Sequence, residues 1–165
     1  MHIKKQLAAA IVLACAGMTA HAHGDTKHAK KTFNAADAEQ MAFGVPGDPK
    51  RANRTIKVTM TDQMRFTPER IEVREGDTVK FIVSNKGKTM HEMVLGTTKE
   101  LKEHAALMKK FPGMEHDEPY MAHVRPGKSE QLVWTFNKPG EFDFACLMPG
   151  HFDAGMLGKI VVAKK

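Results

Sequence analysis

Residues 144–158 read Phe-Ala-Cys-Leu-Met-Pro-Gly-His-Phe-Asp-Ala-Gly-Met-Leu-Gly. An aromatic, apolar strand runs into a loop punctuated by Pro149, Gly150, Gly155 and Gly158. Cys146, His151 and Met156 are evenly spaced along it and offer a thiolate, an imidazole and a thioether. A soft thiolate with imidazoles and one weak, long axial Met is the ligand set of an electron-transfer copper site. The chain has to leave its strand at Cys146, turn at Pro149-Gly150 and bring His151 and Met156 back to the same ion. Pro fixes φ and Gly admits backbone angles that other residues avoid, so this dipeptide suits a tight turn. The set is one imidazole short, and His91, in Thr89-Met90-His91-Glu92-Met93-Val94-Leu95, is the upstream candidate. A lone Met is core more often than ligand, and a lone His usually holds no metal. The combination within one Gly/Pro-punctuated loop is what makes the pattern specific.

Outward from that loop the chain reads as short strands. Ile56, Val58 and Met60 alternate with Lys57 and Thr59, the pattern of a half-buried strand. Residues 64–68 read as irregular; Ile71 and Val73 alternate up to a turn at Glu75-Gly76-Asp77. Val79, Phe81 and Val83 mark a strand that ends at Asn85-Lys86-Gly87, and 91–95 reads as a short strand leaving the metal loop. Leu101, Ala105 and Met108 fall at near-helical spacing with Glu100, Lys102 and Glu103 outward, which predicts a helix over 99–110, before Phe111-Pro112-Gly113. Residues 97–123 therefore form an insertion carrying a helix and a Met/His-rich loop. Leu132, Trp134 and Phe136 share a strand face, Asn137-Lys138-Pro139-Gly140 is a turn, Phe142, Phe144 and Cys146 share the next face, and 159–163 closes the chain. Short strands with turn signals between them and one helix predict an all-β sandwich.

The N-terminus carries an export signal: Lys4-Lys5, an apolar run over 7–16, and Ala20-His21-Ala22 as a cleavage site. The run is too short to span a bilayer. Residues 1–22 are thus expected to be removed and the protein to reside in the periplasm. A competing reading makes Cys15 a lipoprotein cysteine, which Leu13 and Ala14 before it fit poorly. Residues 23–53 are polar and Lys-rich and read as a flexible or loosely docked arm, with a short helical turn near 35–41 and turn chemistry at 45–49; the domain proper is expected over 54–165. Of two cysteines, only Cys146 survives cleavage, so no disulfide can form within the mature chain. A free thiol in an oxidising compartment is a liability unless something occupies it. Cleavage also takes Lys4 and Lys5, lowering the formal charge from +6 to +4. The remaining Lys residues are scattered rather than interleaved with aromatics, which gives no nucleic-acid footprint. The mild positive excess either helps docking onto an acidic partner or simply solvates the surface.

The Cys-x4-His-x4-Met loop with an upstream His resembles the cupredoxins, and its Cys-to-His gap looks like that of azurin and auracyanin. Phe66 and Pro68, followed by Ile71, Val73, Gly76, Asp77 and Val79, are similar to the family's N-terminal run. Met90-His91-Glu92-Met93-Val94-Leu95-Gly96-Thr97, with the export signal and the Met/His richness, is similar to periplasmic copper-tolerance cupredoxins. The resemblance covers about residues 55–164 and implies a Greek-key β-sandwich holding one type 1-like copper on His91, Cys146, His151 and Met156, blue or green. Many members place Asn or Asp after the upstream His, where it ties the two ligand segments together; here the residue is Glu92, a longer side chain that has to make that tie differently.

Seven His and ten Met remain after cleavage, more than one site needs. His23, His28, His104, Met108, Met114, His116, Met121 and His123 are candidate ligands for additional copper, since thioethers prefer Cu(I) and imidazoles take either state. His23 would be the mature N-terminus, where amine and imidazole chelate together. The competing reading has Met108 packing within the helix, with Met114 and Met121 covering the sandwich edge. Three roles follow: copper tolerance by redox or by holding copper; an electron shuttle between redox complexes; and a copper chaperone for cuproenzyme assembly. Each implies a redox or copper-handling protein as partner, no membrane span, and a monomer. Enzyme chemistry is not expected. Cys146 lies between Ala145 and Leu147 rather than between the His residues that wire a multicopper oxidase, and no nucleophile–base–orienter set is present.

Overall fold

Alternating apolar and polar residues make each strand two-faced, and a fold that buries one face of each needs a second layer to cover it. The structure, a computed structural model, describes residues 33–114 and 117–165. The expected signal segment, His23, His28 and His116 lie outside the described residues. The described residues form ten strands: β1 (Val45–Pro46), β2 (Arg54–Thr61), β3 (Arg65–Thr67), β4 (Arg70–Arg74), β5 (Asp77–Asn85), β6 (His91–Gly96), β7 (Met121–Val124), β8 (Ser129–Phe136), β9 (Gly140–Ala145) and β10 (Leu157–Ala163). One sheet has the order β1-β8-β5-β2-β3 and the other β4-β10-β9-β6-β7. β2 runs parallel to β5 and β10 parallel to β4; the remaining pairs are antiparallel. This is the expected β-sandwich with a helical insertion.

Val58, Met60, Phe81, Val83, Trp134 and Phe136 from the first sheet meet Ile71, Val73, Phe144, Ile160 and Val162 from the second in one buried cluster. Burying such a side chain stabilises the fold by about 1.5–3 kcal/mol. The pattern also fixes register. A one-residue slip of β5 against β8 would carry Phe81, paired with Leu132, to the solvent face.

The helix α1 (Thr98–Lys110) starts on a capping box: the Thr97 hydroxyl accepts from the Glu100 N–H, and Glu100 accepts from the Thr97 N–H. Thr98 Oγ1 donates to Asp143 on β9, and Leu101, Ala105 and Met108 face inward as their spacing predicts. At the other end of the helix Lys109 pairs with Asp153, in the metal loop.

Three regions differ from the sequence reading. The stretch read as irregular contains β3, which pairs with β2 and buries Phe66. The end of the insertion, residues 121–123, is strand: β7 pairs with β6. The arm docks well before residue 54. Phe43 is buried and stacked on Trp134 at 5.2 Å, its carbonyl accepts from Trp134 Nε1, and β1 adds an edge to β8. Gly44 makes this approach possible, because a Cβ there would sit 2.2 Å from the Thr135 carbonyl oxygen. The helical turn expected near 35–41 is a single 3-10 turn, Ala35–Asp37, capped by Asn34.

Candidate metal centre

Pairing of β6 with β9 brings the first two donors together. Val94 sits opposite Ala145, so His91 at the start of β6 and Cys146 just past β9 lie at the same end of the sheet. Beyond Cys146 the chain makes the turn that Pro149-Gly150 predicts. The His151 N–H donates to the Met148 carbonyl at 2.9 Å, with Gly150 at φ +85°. Pro at the second position and a positive φ at the third are the type II arrangement. The loop then returns: the Met156 N–H donates to the His151 carbonyl, and the Cys146 N–H donates to the Met156 carbonyl.

The result is a convergence of donor atoms. His91 Nδ1 lies 3.9 Å and His151 Nδ1 3.2 Å from Cys146 Sγ. One ligand atom from each of the three residues falls within 4.8 Å of the others, the one cluster of three or more His, Cys, Asp or Glu ligands among the described residues. His91, Cys146 and Met156 are fully buried and His151 is half-buried. Burial, reinforced by the nearby Glu92 carboxylate, pushes the Cys146 thiol up to about 12. Burial, and next the neighbouring His91, lowers the His151 imidazole, which favours its neutral, metal-binding form. A thiol that is costly to ionise on its own and two imidazoles aimed at it by the same nitrogen suit a thiophilic cation that brings its own positive charge.

Around the donors lies a frame that the sequence reading only partly foresaw. Glu92 does tie the two segments: its Oε1 accepts from the Leu147 N–H at 2.9 Å, and its own N–H reaches Cys146 Sγ at 3.5 Å. Its length is used by sending the other oxygen to His123 Nδ1, at 2.9 Å on β7. On the far side of His91, Asp62 in the β2–β3 turn takes the Nε2 atom at 3.0 Å. The Lys88 backbone N–H and the Thr89 hydroxyl hold the Asp62 carboxyl far below the usual carboxylate range. Buried Asn85 secures the approach to His91, donating to the Thr89 and Val124 carbonyls and accepting from the Gly87 N–H. Arg65, in the same hairpin as Asp62, reaches the carbonyls of Ala154 and Gly155, immediately before Met156. Asp62 was absent from the sequence reading, and Arg65 and Gly87 entered it only as parts of an irregular stretch and a turn, with no link to the site. Their one local signal was turn composition, which does not name a distant partner.

Among the described residues the surplus donors are dispersed. Met108 and Met121 are buried in a second apolar cluster with Val94, Leu101, Ala105, Ala145 and Leu147. His123 faces Glu92, His104 is half-buried on α1, and Met114 is exposed.

Residues 52–163 match the family of copper binding proteins described as plastocyanin/azurin. The chain is 53% identical over 95 residues to the copper-resistant cuproprotein CopI of Rubrivivax gelatinosus, covering 58% of this chain and 58% of that one. It is 36% identical to the protein of the same name from Pseudomonas aeruginosa, covering 58% and 68% respectively. Among solved structures, dithionite-reduced auracyanin from Roseiflexus castenholzii superposes with a TM-score of 0.59 at 22% identity, over 68% of this chain and 98% of that one, a likeness of fold. Fold, donor cluster and family match define a copper-binding cupredoxin. The chain belongs to the plastocyanin/azurin family, and copper is its cofactor. It spans about 58% of the length of the Rubrivivax relative. Among the described residues no helix is long and apolar enough to cross a membrane.

Proposed function

We propose that this chain is an exported, mononuclear copper protein of copper tolerance, in which His91, Cys146 and His151 would be the strong ligands and Met156 the weak one. The observation that supports it most is the approach of two Nδ1 atoms to one buried sulfur, within 4.8 Å of each other. Bound there, copper supplies a one-electron Cu(I)/Cu(II) couple. The chain's own residues supply rigidity and selectivity. β6 and β9 fix His91 and Cys146, the Met148–His151 turn fixes His151, and the buried Met156 excludes water on its side. Cys146 is too deeply buried to meet a substrate, which favours binding and electron transfer over enzymatic chemistry. Two CopI relatives described as copper-resistant support the tolerance role. The signal-like 1–22 supports a periplasmic location.

A second reading, an electron shuttle, is favoured by one observation: His151 and the adjacent Phe152 are both half-buried at the surface, a route by which an electron leaves a buried centre. Deleting the gene and challenging cells with copper separates the two. Tolerance should fall and should not return on complementation with Cys146→Ser. Unchanged tolerance in the deletion strain would discard the tolerance role and leave the shuttle.

A further inference from the structure

We propose that Asp62 is a positioning residue of the copper centre. Its carboxylate accepts the Nε2–H of His91 and so presents the Nδ1 lone pair to the metal. The inference rests on the ligand reading above and adds a residue from the opposite sheet to it.

A neutral imidazole has one N–H and one lone pair, and a carboxylate can only accept. His91 Nε2 lies 3.0 Å from Asp62 Oδ1, while Nδ1 lies 3.9 Å from Cys146 Sγ. The nitrogen facing Asp62 therefore carries the hydrogen, and the nitrogen facing the sulfur is free to bind. Thr89 Oγ1, 3.3 Å from the same Nε2, donates its own hydrogen to Asp62 Oδ1 at 2.9 Å and is thereby left as a second acceptor. A partner of this kind on a metal-bound His fixes tautomer and ring orientation and raises ligand basicity.

Asp62 is held for the task. Its side chain is 37% exposed, a setting in which a carboxylate usually wanders, yet four donors converge on it. Oδ2 accepts from the Lys88 N–H at 2.7 Å, and Oδ1 accepts from the Thr89 N–H, the Thr89 hydroxyl and His91. The opposing loop makes room for it: a Cβ on Gly87 would stand 2.0 Å from Oδ1 and 3.1 Å from the Asp62 backbone nitrogen. Because the partner is a carboxylate rather than a neutral carbonyl, it also places a negative charge beside the ligand, which favours the more highly charged Cu(II).

Two measurements on the mature protein test this. The first is long-range 15N–1H NMR of the His91 ring in the metal-free state. Wild type should show the Nε2–H tautomer, and Asp62→Ala should lose that bias. A wild-type ring protonated on Nδ1 overturns the proposal whatever the variants do. The second is copper affinity and reduction potential. Asp62→Ala should bind copper about 10- to 100-fold more weakly. Asp62→Asn keeps an acceptor oxygen, so it should retain the tautomer and most of the affinity while the potential rises. If Asp62→Ala does not fold, Asp62→Asn and the wild-type tautomer decide. A role confined to holding the loop would lower the melting temperature and leave tautomer and potential unchanged, which overturns the proposal. Failure of the ligand reading shows separately, as a charge-transfer band that survives Cys146→Ser.

Discussion

Between Cys146 and Met156 the donor residues turn onto one another, whereas in the insertion over 97–123 the same residue types turn elsewhere. Met108 and Met121 enter an apolar cluster, and His123 faces a carboxylate. The difference lies in backbone geometry. The metal loop is closed on itself by the Cys146–Met156 and His151–Met156 backbone hydrogen bonds, which set His151 Nδ1 3.2 Å from Cys146 Sγ and return Met156 to the buried cluster that holds Cys146. In the insertion, α1 buries one face against the sheet and β7 is covered on both, so Met108 and Met121 meet in the apolar cluster beneath the helix. Soft donors become a site only where the chain returns to itself; on an amphipathic element they are filler.

The largest effects are expected at the loop. Cys146→Ser should abolish the thiolate-to-copper band entirely, read by visible absorption, while His91→Ala should weaken binding and open the site to added imidazole. Glu92→Ala should come next. It leaves the Leu147 N–H without its acceptor and His123 without its carboxylate, so the metal-free protein should lose about 3 kcal/mol in urea denaturation. A loss under about 0.5 kcal/mol, the range of ordinary surface changes, would mean that the bridge is not part of the frame.

The thiol gives a pH test. Burial pushes the Cys146 thiol up to about 12, well above the ordinary range of a thiol. Copper uptake at neutral pH should therefore expel about one proton from it, measured in a pH-stat, and Cys146→Ser should not release that proton. For the metal-free protein the sign follows from the same shift. Above about pH 9 the unfolded thiol ionises and the folded one does not, so stability should fall between about 9 and 12. The smallest effect is expected in the insertion. Met121→Leu keeps volume and apolarity, so it should cost less than about 1.5 kcal/mol and leave copper stoichiometry unchanged. A lost copper equivalent would make Met121 a ligand and end the contrast.

The metal loop was legible because its donors, its Pro-Gly turn and its spacing lie within one short stretch. The strands were legible where alternation was clean, as at Val79, Phe81 and Val83. β7 was not: Met121 and Ala122 are both buried, so the stretch shows no alternation to read. The arm hid its docking because Phe43 and β1 are short apolar moments in a polar segment, given meaning by Trp134 far along the chain. Asp62 and Arg65 were out of reach for the same reason. Each sits in an ordinary turn, and their partners lie 29 and about 90 residues away.

Copper titration of the mature protein, followed by visible absorption and EPR, decides whether Cys146 is a copper ligand. One equivalent should develop an intense charge-transfer band and a single EPR species, complete before any further copper binds. Tight binding of one equivalent with no such band would contradict a centre built on Cys146.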